Sequence, residues 1–186
     1  MGSEVVTGLV GVAGALVGGA ASFAGTWVNL RSQHRQAVKA RREAVQDRRY
    51  AAHLEFVKGV DRFCEAARDA RSVLDRGMFA SAQELEDAQV EYTKAWTELR
   101  ELKGAAELAG PPPLSTAVRQ VGAAIRDYSS RIDSWYCAAL EGLSMPDAEL
   151  VERAESTFGE LCRTDRETVD RVRERYVVQA QAIFSK

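Results

Sequence analysis

FVKGVDRFCEAARDARSVL, residues 56–74, decides the fold. Phe56, Val60, Phe63, Ala67, Ala70 and Leu74 alternate by four and three positions. That spacing lines up one face of an α-helix. The positions between them are largely charged or small, so the stretch has a dry side and a wet side. A helix of this kind is stable only when other helices cover its dry side. Arg76 and Gly77 follow as a stop, glycine being suited to a left-handed cap.

Downstream, the covering helices announce themselves. Ser81 and Glu84 have capping-box spacing and open a second helix with the stripe Leu85, Ala88, Tyr92, Ala95, Leu99 and Leu102, with Trp96 beside it. Gly110-Pro111-Pro112-Pro113 ends it. A third helix is expected from about Ser115, with Val118, Val121, Ile125, Tyr128, Ile132, Trp135, Ala139 and Leu143 on one side. Ser144-Met145-Pro146-Asp147 breaks it and begins a fourth, where Pro146 suits the first turn and Asp147 and Glu149 suit its positive dipole end. The fourth stripe is Val151, Ala154, Phe158, Leu161, Val169, Val172, Tyr176 and Ile183. No segment alternates as a strand does. The fold class expected is all-α, with an antiparallel four-helix bundle over 54–186. Roughly 130 residues bury a sufficient core without disulfides or metal.

Upstream the character changes twice. Residues 31–53 carry seven Lys/Arg (Arg31, Arg35, Lys39, Arg41, Arg42, Arg48 and Arg49) against two acids, while 54–186 carry eighteen against twenty-four. The small net charge of −2 therefore hides a basic collar on an acidic body. No proline or glycine interrupts 26–58, and Val38, Val45 and Ala52 recur every seven residues, as in a solvated or weakly coiled helix. Before the collar, residues 5–28 are 24 positions without a charge. As a helix they span about 36 Å, against a hydrocarbon core of about 30 Å.

The organisation expected is thus a transmembrane anchor (1–30), a basic juxtamembrane helix (31–53) and a helical bundle (54–186). Trp27 sits where aromatic rings favour the headgroups, and positive charge after the apolar run puts the N-terminus outside and the bundle in the cytoplasm. A cleaved signal peptide carries its positive residues before the apolar run, the reverse of the order here. The nine Val, Leu and Phe residues of the segment supply about −3 to −5 kcal/mol for insertion. Six glycines work against them, so a Gly/Ala-rich helix buried in protein is the competing reading. Gly8, Gly11, Ala15, Gly18, Ser22 and Gly25 fall on one helix face, a seam through which anchors of two copies associate closely.

Chemistry is sparse. His34 and His53 are the only histidines, both in the collar, and both read as polar surface near headgroups. No Glu-x-x-His or His-Glu-x-x-His spacing exists, the front glycines lack the Gly-Lys-Ser/Thr of a phosphate loop, and no Gly-x-Ser-x-Gly elbow occurs. With no histidine expected in the bundle, a serine triad lacks its base. Cys64, Cys137 and Cys162 form no Cys-x-x-Cys pair and read as small buried residues in a reducing compartment. Neither catalysis, nor a cofactor, nor a metal is expected.

In build the chain resembles single-pass, membrane-anchored helical proteins of high-GC, actinobacterial-type bacteria: a Gly/Ala-rich anchor, an Arg-rich collar and a helical cytoplasmic body. The resemblance is one of build and brings no activity with it; the acidic helical body and the anchor themselves point to an interaction or scaffold protein. Its partners would be a bilayer with anionic headgroups touching the seven basic residues, a second copy of the chain, and a cytoplasmic protein. Two other classes fit the same features: a membrane-active effector or pore former assembled through the Gly/Ser face, and a membrane-tethered nucleic-acid binder. The collar's lack of interleaved aromatics favours lipid over nucleic acid.

Overall fold

The computed structural model describes the backbone of residues 2–76, 80–144 and 148–185, with the side chains of these except 2–26, 28 and 141–156. Among the described residues every regular element is an α-helix: α1 (Gly2–Leu74), α2 (Ala82–Ala109), α3 (Pro112–Ser144) and α4 (Ala148–Phe184). The chain divides into two units, 1–47 and 48–186.

The second unit is an antiparallel four-helix bundle, and its side-chain contacts fix the register of each neighbouring pair. Phe63 on α1 packs on Tyr92 and Trp96 of α2 (centroids 5.7 and 5.6 Å), and further down Arg76 meets Glu84 at 2.9 Å. Rising numbers on α1 thus face falling numbers on α2. Between α2 and α3, Tyr92 reaches Ser129, and Tyr136 donates to the Leu85 carbonyl at 3.0 Å. Arg131 of α3 meets Asp165 of α4 at 3.3 Å, and Trp135 stacks on Phe158. The ring closes where Asp61 of α1 holds Arg173 of α4 at 2.7 Å and Phe56 packs edge-on against Tyr176.

Burial follows the stripes. Phe56, Val60, Phe63, Ala67, Ala70 and Leu74 are all buried, as are Leu85, Tyr92 and Leu99 on α2 and Val118 through Trp135 on α3 at the expected spacing. Each large apolar side chain so buried contributes about 1.5–3 kcal/mol, whereas the half-exposed ion pairs between helices contribute about 0–1 kcal/mol each. The core therefore holds the bundle, and the ion pairs fix its register.

Helix ends show their causes. Ser81 accepts from the Glu84 amide while Glu84 accepts from the Ser81 amide, closing the capping box in both directions. Gly110 caps α2 in extended conformation (φ −88°). Here α3 begins at Pro112 rather than near Ser115, because prolines tolerate the first turn, whose amides have no helical acceptor. Ser115 instead ties the two helices, its hydroxyl donating to the Glu107 carbonyl at 2.7 Å.

Several positions depart from the stripes. Leu161 is 37% exposed and Cys162 takes its place in the core, because seven residues back from buried Val169 falls on 162. Cys137 is exposed, so only Cys64 and Cys162 behave as small buried residues. The largest departure is His53, which is 2% exposed, inside the bundle rather than on its surface. Gly77, the 145–147 break and the side chains of Leu143, Val151 and Ala154 lie outside the described residues.

Candidate functional site

Two places on the chain carry unusual chemistry, one in each unit. The first is the basic face of α1 in residues 31–47. At about 100° per residue, Arg31, Arg35, Lys39, Arg41 and Arg42 fall within about 160° of arc, while Glu43 and Asp47 fall outside it. Val38 projects from the middle of that arc, and all of these side chains are exposed. Long cationic side chains thus flank an exposed apolar one, with apolar stems beside Val38 and charges at their tips.

Trp27 extends this face toward the uncharged segment. Its ring is 55% exposed and the Arg31 guanidinium sits over it, 5.2 Å from the centroid. Lys39 shares its charge with Glu43 at 3.7 Å, a fully solvated pair. His34 is exposed here. Arg48 and Arg49 belong to the second unit and are exposed there. The side chains of Gly8, Gly11, Ala15, Gly18, Ser22 and Gly25, and with them the seam, lie outside the described residues. Among the described residues no helix is long and apolar enough to cross a membrane.

The second place is the end of the bundle where α1 enters it. His53 Nδ1 lies 2.6 Å from the Tyr176 hydroxyl, and both residues are buried. Phe184 lies against the imidazole at 5.4 Å and Tyr50 packs edge-on against Phe184 at 5.5 Å. Among the described residues Nε2 has no hydrogen-bond partner, and it lies beside the α2–α3 turn, where a methyl group at Gly110 would come within 2.8 Å of it. Burial lowers the pKa of His53 and pushes the Tyr176 phenol up. The pair is a neutral imidazole and a neutral phenol in a shell of aromatic and aliphatic groups. Residue spacing contained the signal for it, since 53 lies three before Phe56 and continues the four-and-three stripe backward.

Two other buried hydroxyls of the core are paired across α2 and α3, Tyr92 with Ser129 and Tyr136 with the Leu85 carbonyl. Burial pushes the Tyr92 phenol up. Burial also holds the thiols of Cys64 and Cys162 at about 11, which keeps them protonated and unreactive. Among the described residues no group of three or more His, Cys, Asp or Glu side chains is placed to hold a metal ion.

Outside the core, a groove of about 720 Å³ runs between α1 and α2. Ala66, Val73, Ala88 and Ala95 line its length, and six carboxylates face three cations along its walls. Those cations are engaged already, Arg62 with Glu98, Arg76 with Glu84 and Lys94 with Glu91. Glu65, Asp69 and Asp87 are left to make the groove negative. No family model, curated protein or solved structure matches this chain.

Proposed function

We propose that the chain is a membrane-anchored interaction protein without catalytic activity, which holds a helical bundle at the cytoplasmic face of a membrane. Residues 5–28 would span the bilayer with the N-terminus outside, and the small-residue seam would pair anchors of neighbouring copies. The observation that carries this reading is the basic face at 31–42, exposed and directly preceded by the 26 uncharged positions 5–30. Such a face gains about 1 kcal/mol per charge at an anionic surface. For the cytoplasmic partner, the small-residue floor and negative walls of the α1/α2 groove suit a helix with a narrow apolar ridge and basic flanks.

Flotation with lipid vesicles tests the reading. The full chain is expected to need detergent for extraction from vesicles of either neutral or anionic lipid. A chain beginning at Arg31 is expected to float only with anionic vesicles and to be released by about 0.5 M salt, at which the screening length falls below about 5 Å. A full chain that stays soluble in plain buffer and ignores both kinds of vesicle would overturn the proposal.

A further inference from the structure

At the collar end of the bundle, α4 is held to α1 by a contact that contains a titratable group. Tyr50, His53 and Phe56 of α1 meet Tyr176 and Phe184 of α4, with Gly110 of the α2–α3 turn pressed against the imidazole edge. The only polar bond within that cluster is the one between His53 Nδ1 and the Tyr176 hydroxyl. Imidazole is the one side chain whose ordinary charge change falls between about pH 5 and 8.

The geometry points to an acid-opened latch: protonation of His53 releases the Tyr176–Phe184 end of α4 from α1. The imidazolium carries an N–H on both nitrogens, and the one on Nε2 has nowhere to donate. With the Tyr176 hydroxyl donating to Nδ1, Nε2–H is already without an acceptor and the added proton forces that bond to reverse; in the other tautomer the new N–H forms at Nε2. Once both ring nitrogens carry hydrogen, Tyr176 can no longer donate to Nδ1, and its own hydrogen needs a new acceptor.

The charged groups on the surrounding elements do not compensate. On α1, Glu55 is bound to Lys58 at 2.7 Å in solvent, and Arg49 is exposed. Glu107 of α2 is held by Lys103 at 2.8 Å, and Arg119, the first charge on α3, reaches Thr116. On α4, Arg173 is bound to Asp61, and Glu174 and Arg175 are exposed. Burial lowers the affinity of His53 for its proton, and among the described residues no neighbouring carboxylate offsets the charge. An uncompensated buried cation is relieved by letting water in. The least costly way in is to lift the last turns of α4, where Val178, Gln179, Gln181 and Ala182 are already exposed.

The sign follows from the lowered proton affinity of the closed state. Above about pH 6.5 both the closed and the opened state carry neutral imidazole, and opening is independent of pH. As pH falls below that value the opened state takes up a proton first. Its population then rises about tenfold per pH unit, the slope of one proton, until the closed state is protonated too.

Two measurements on the full chain in detergent micelles test the latch. In a His34→Gln background a single imidazole resonance remains, and its titration midpoint is expected below the ordinary value near about 6.5. Amide hydrogen exchange, corrected for intrinsic rate, is expected to show opening of 177–184 growing about tenfold per pH unit in that window. The amides of Val118–Ile132 on α3 should show no such slope. His53→Asn is expected to abolish the slope. Tyr176→Phe is expected to raise opening at every pH while keeping it, because the proton still lands on His53. Should 177–184 stay equally protected while the imidazole protonates, or should the slope persist in His53→Asn, the latch is wrong. If neither variant folds, the coincidence of the two titrations in the chain with both residues intact still decides.

Discussion

The hydroxyl of Tyr92 lies 2.7 Å from Ser129 Oγ and 3.2 Å from the Ser129 carbonyl, joining α2 to α3 in the middle of the bundle. Both residues are buried, so each bond is one that water cannot replace. Tyr92→Phe removes the donor to both acceptors and is expected to cost about 1–2 kcal/mol in urea unfolding. Ser129→Ala is expected to cost less, because the carbonyl still receives the Tyr92 hydroxyl. Equal losses, or a greater loss in Ser129→Ala, would mean that the carbonyl bond contributes nothing.

That contact shows where reading the sequence stops. Spacing tells which residues share one face of one helix, and so the stripe from Phe56 to Leu74 and its counterpart on α3 could be read in advance. Which residue of α2 opposes which residue of α3 depends on loop lengths and on the fit of the whole core, and no local pattern encodes it. His53 was legible by spacing but was masked by Arg48 and Arg49, whose charges make the segment look wholly solvated. Leucine's hydrophobicity made Leu161 the natural core residue of α4, yet helical phase puts Cys162 there. Of the candidate surfaces, the basic face is plain in the sequence, whereas the α1/α2 groove exists only once the two helices are in register.

Two glycines separate propensity from packing. Nothing lies within 4 Å of a Cβ placed at Gly104, an exposed position in the last quarter of α2. Gly104→Ala therefore gains helix propensity without a clash and is expected to stabilise the bundle by about 0.5–1 kcal/mol. At Gly110 the backbone is open to alanine, since φ is −88°, but the methyl would meet His53 Nε2 at 2.8 Å and Leu114 Cβ at 3.1 Å. Gly110→Ala is expected to destabilise by about 1–3 kcal/mol through overpacking. Urea midpoints of the two variants should move in opposite directions.

The three thiols should separate cleanly by reactivity. Cys137 is exposed, while Cys64 and Cys162 are buried with their thiols held at about 11. At pH 8 only on the order of one in a thousand such thiols is ionised, and the reagent must also reach it. A native chain treated with a disulfide reagent is expected to release one equivalent quickly. The other two should follow at the rate of unfolding, and all three at once in denaturant. Cys137→Ser should remove the fast phase alone.

Glu84 gives the start of α2 a dependence on acid. The Ser81 backbone amide holds its carboxyl down to about 2, with help from Arg76, whose guanidinium lies 2.9 Å away, and from the Ser81 hydroxyl. A carboxyl with a depressed pKa stabilises the fold above its unfolded value near about 4.3, and that stabilisation disappears as pH falls through about 2. Glu84→Gln keeps an acceptor for the Ser81 amide but carries no charge at any pH. The parent chain is therefore expected to be more stable than Glu84→Gln at pH 6, with the difference closing between about pH 4.3 and 2 as Glu84 itself becomes neutral. Added salt at pH 6 should narrow the gap only in part, since it screens Arg76 but leaves the capping bonds in place. A gap that stays constant down to pH 2 would show that the geometry of the cap, and not the charge of Glu84, secures the helix start.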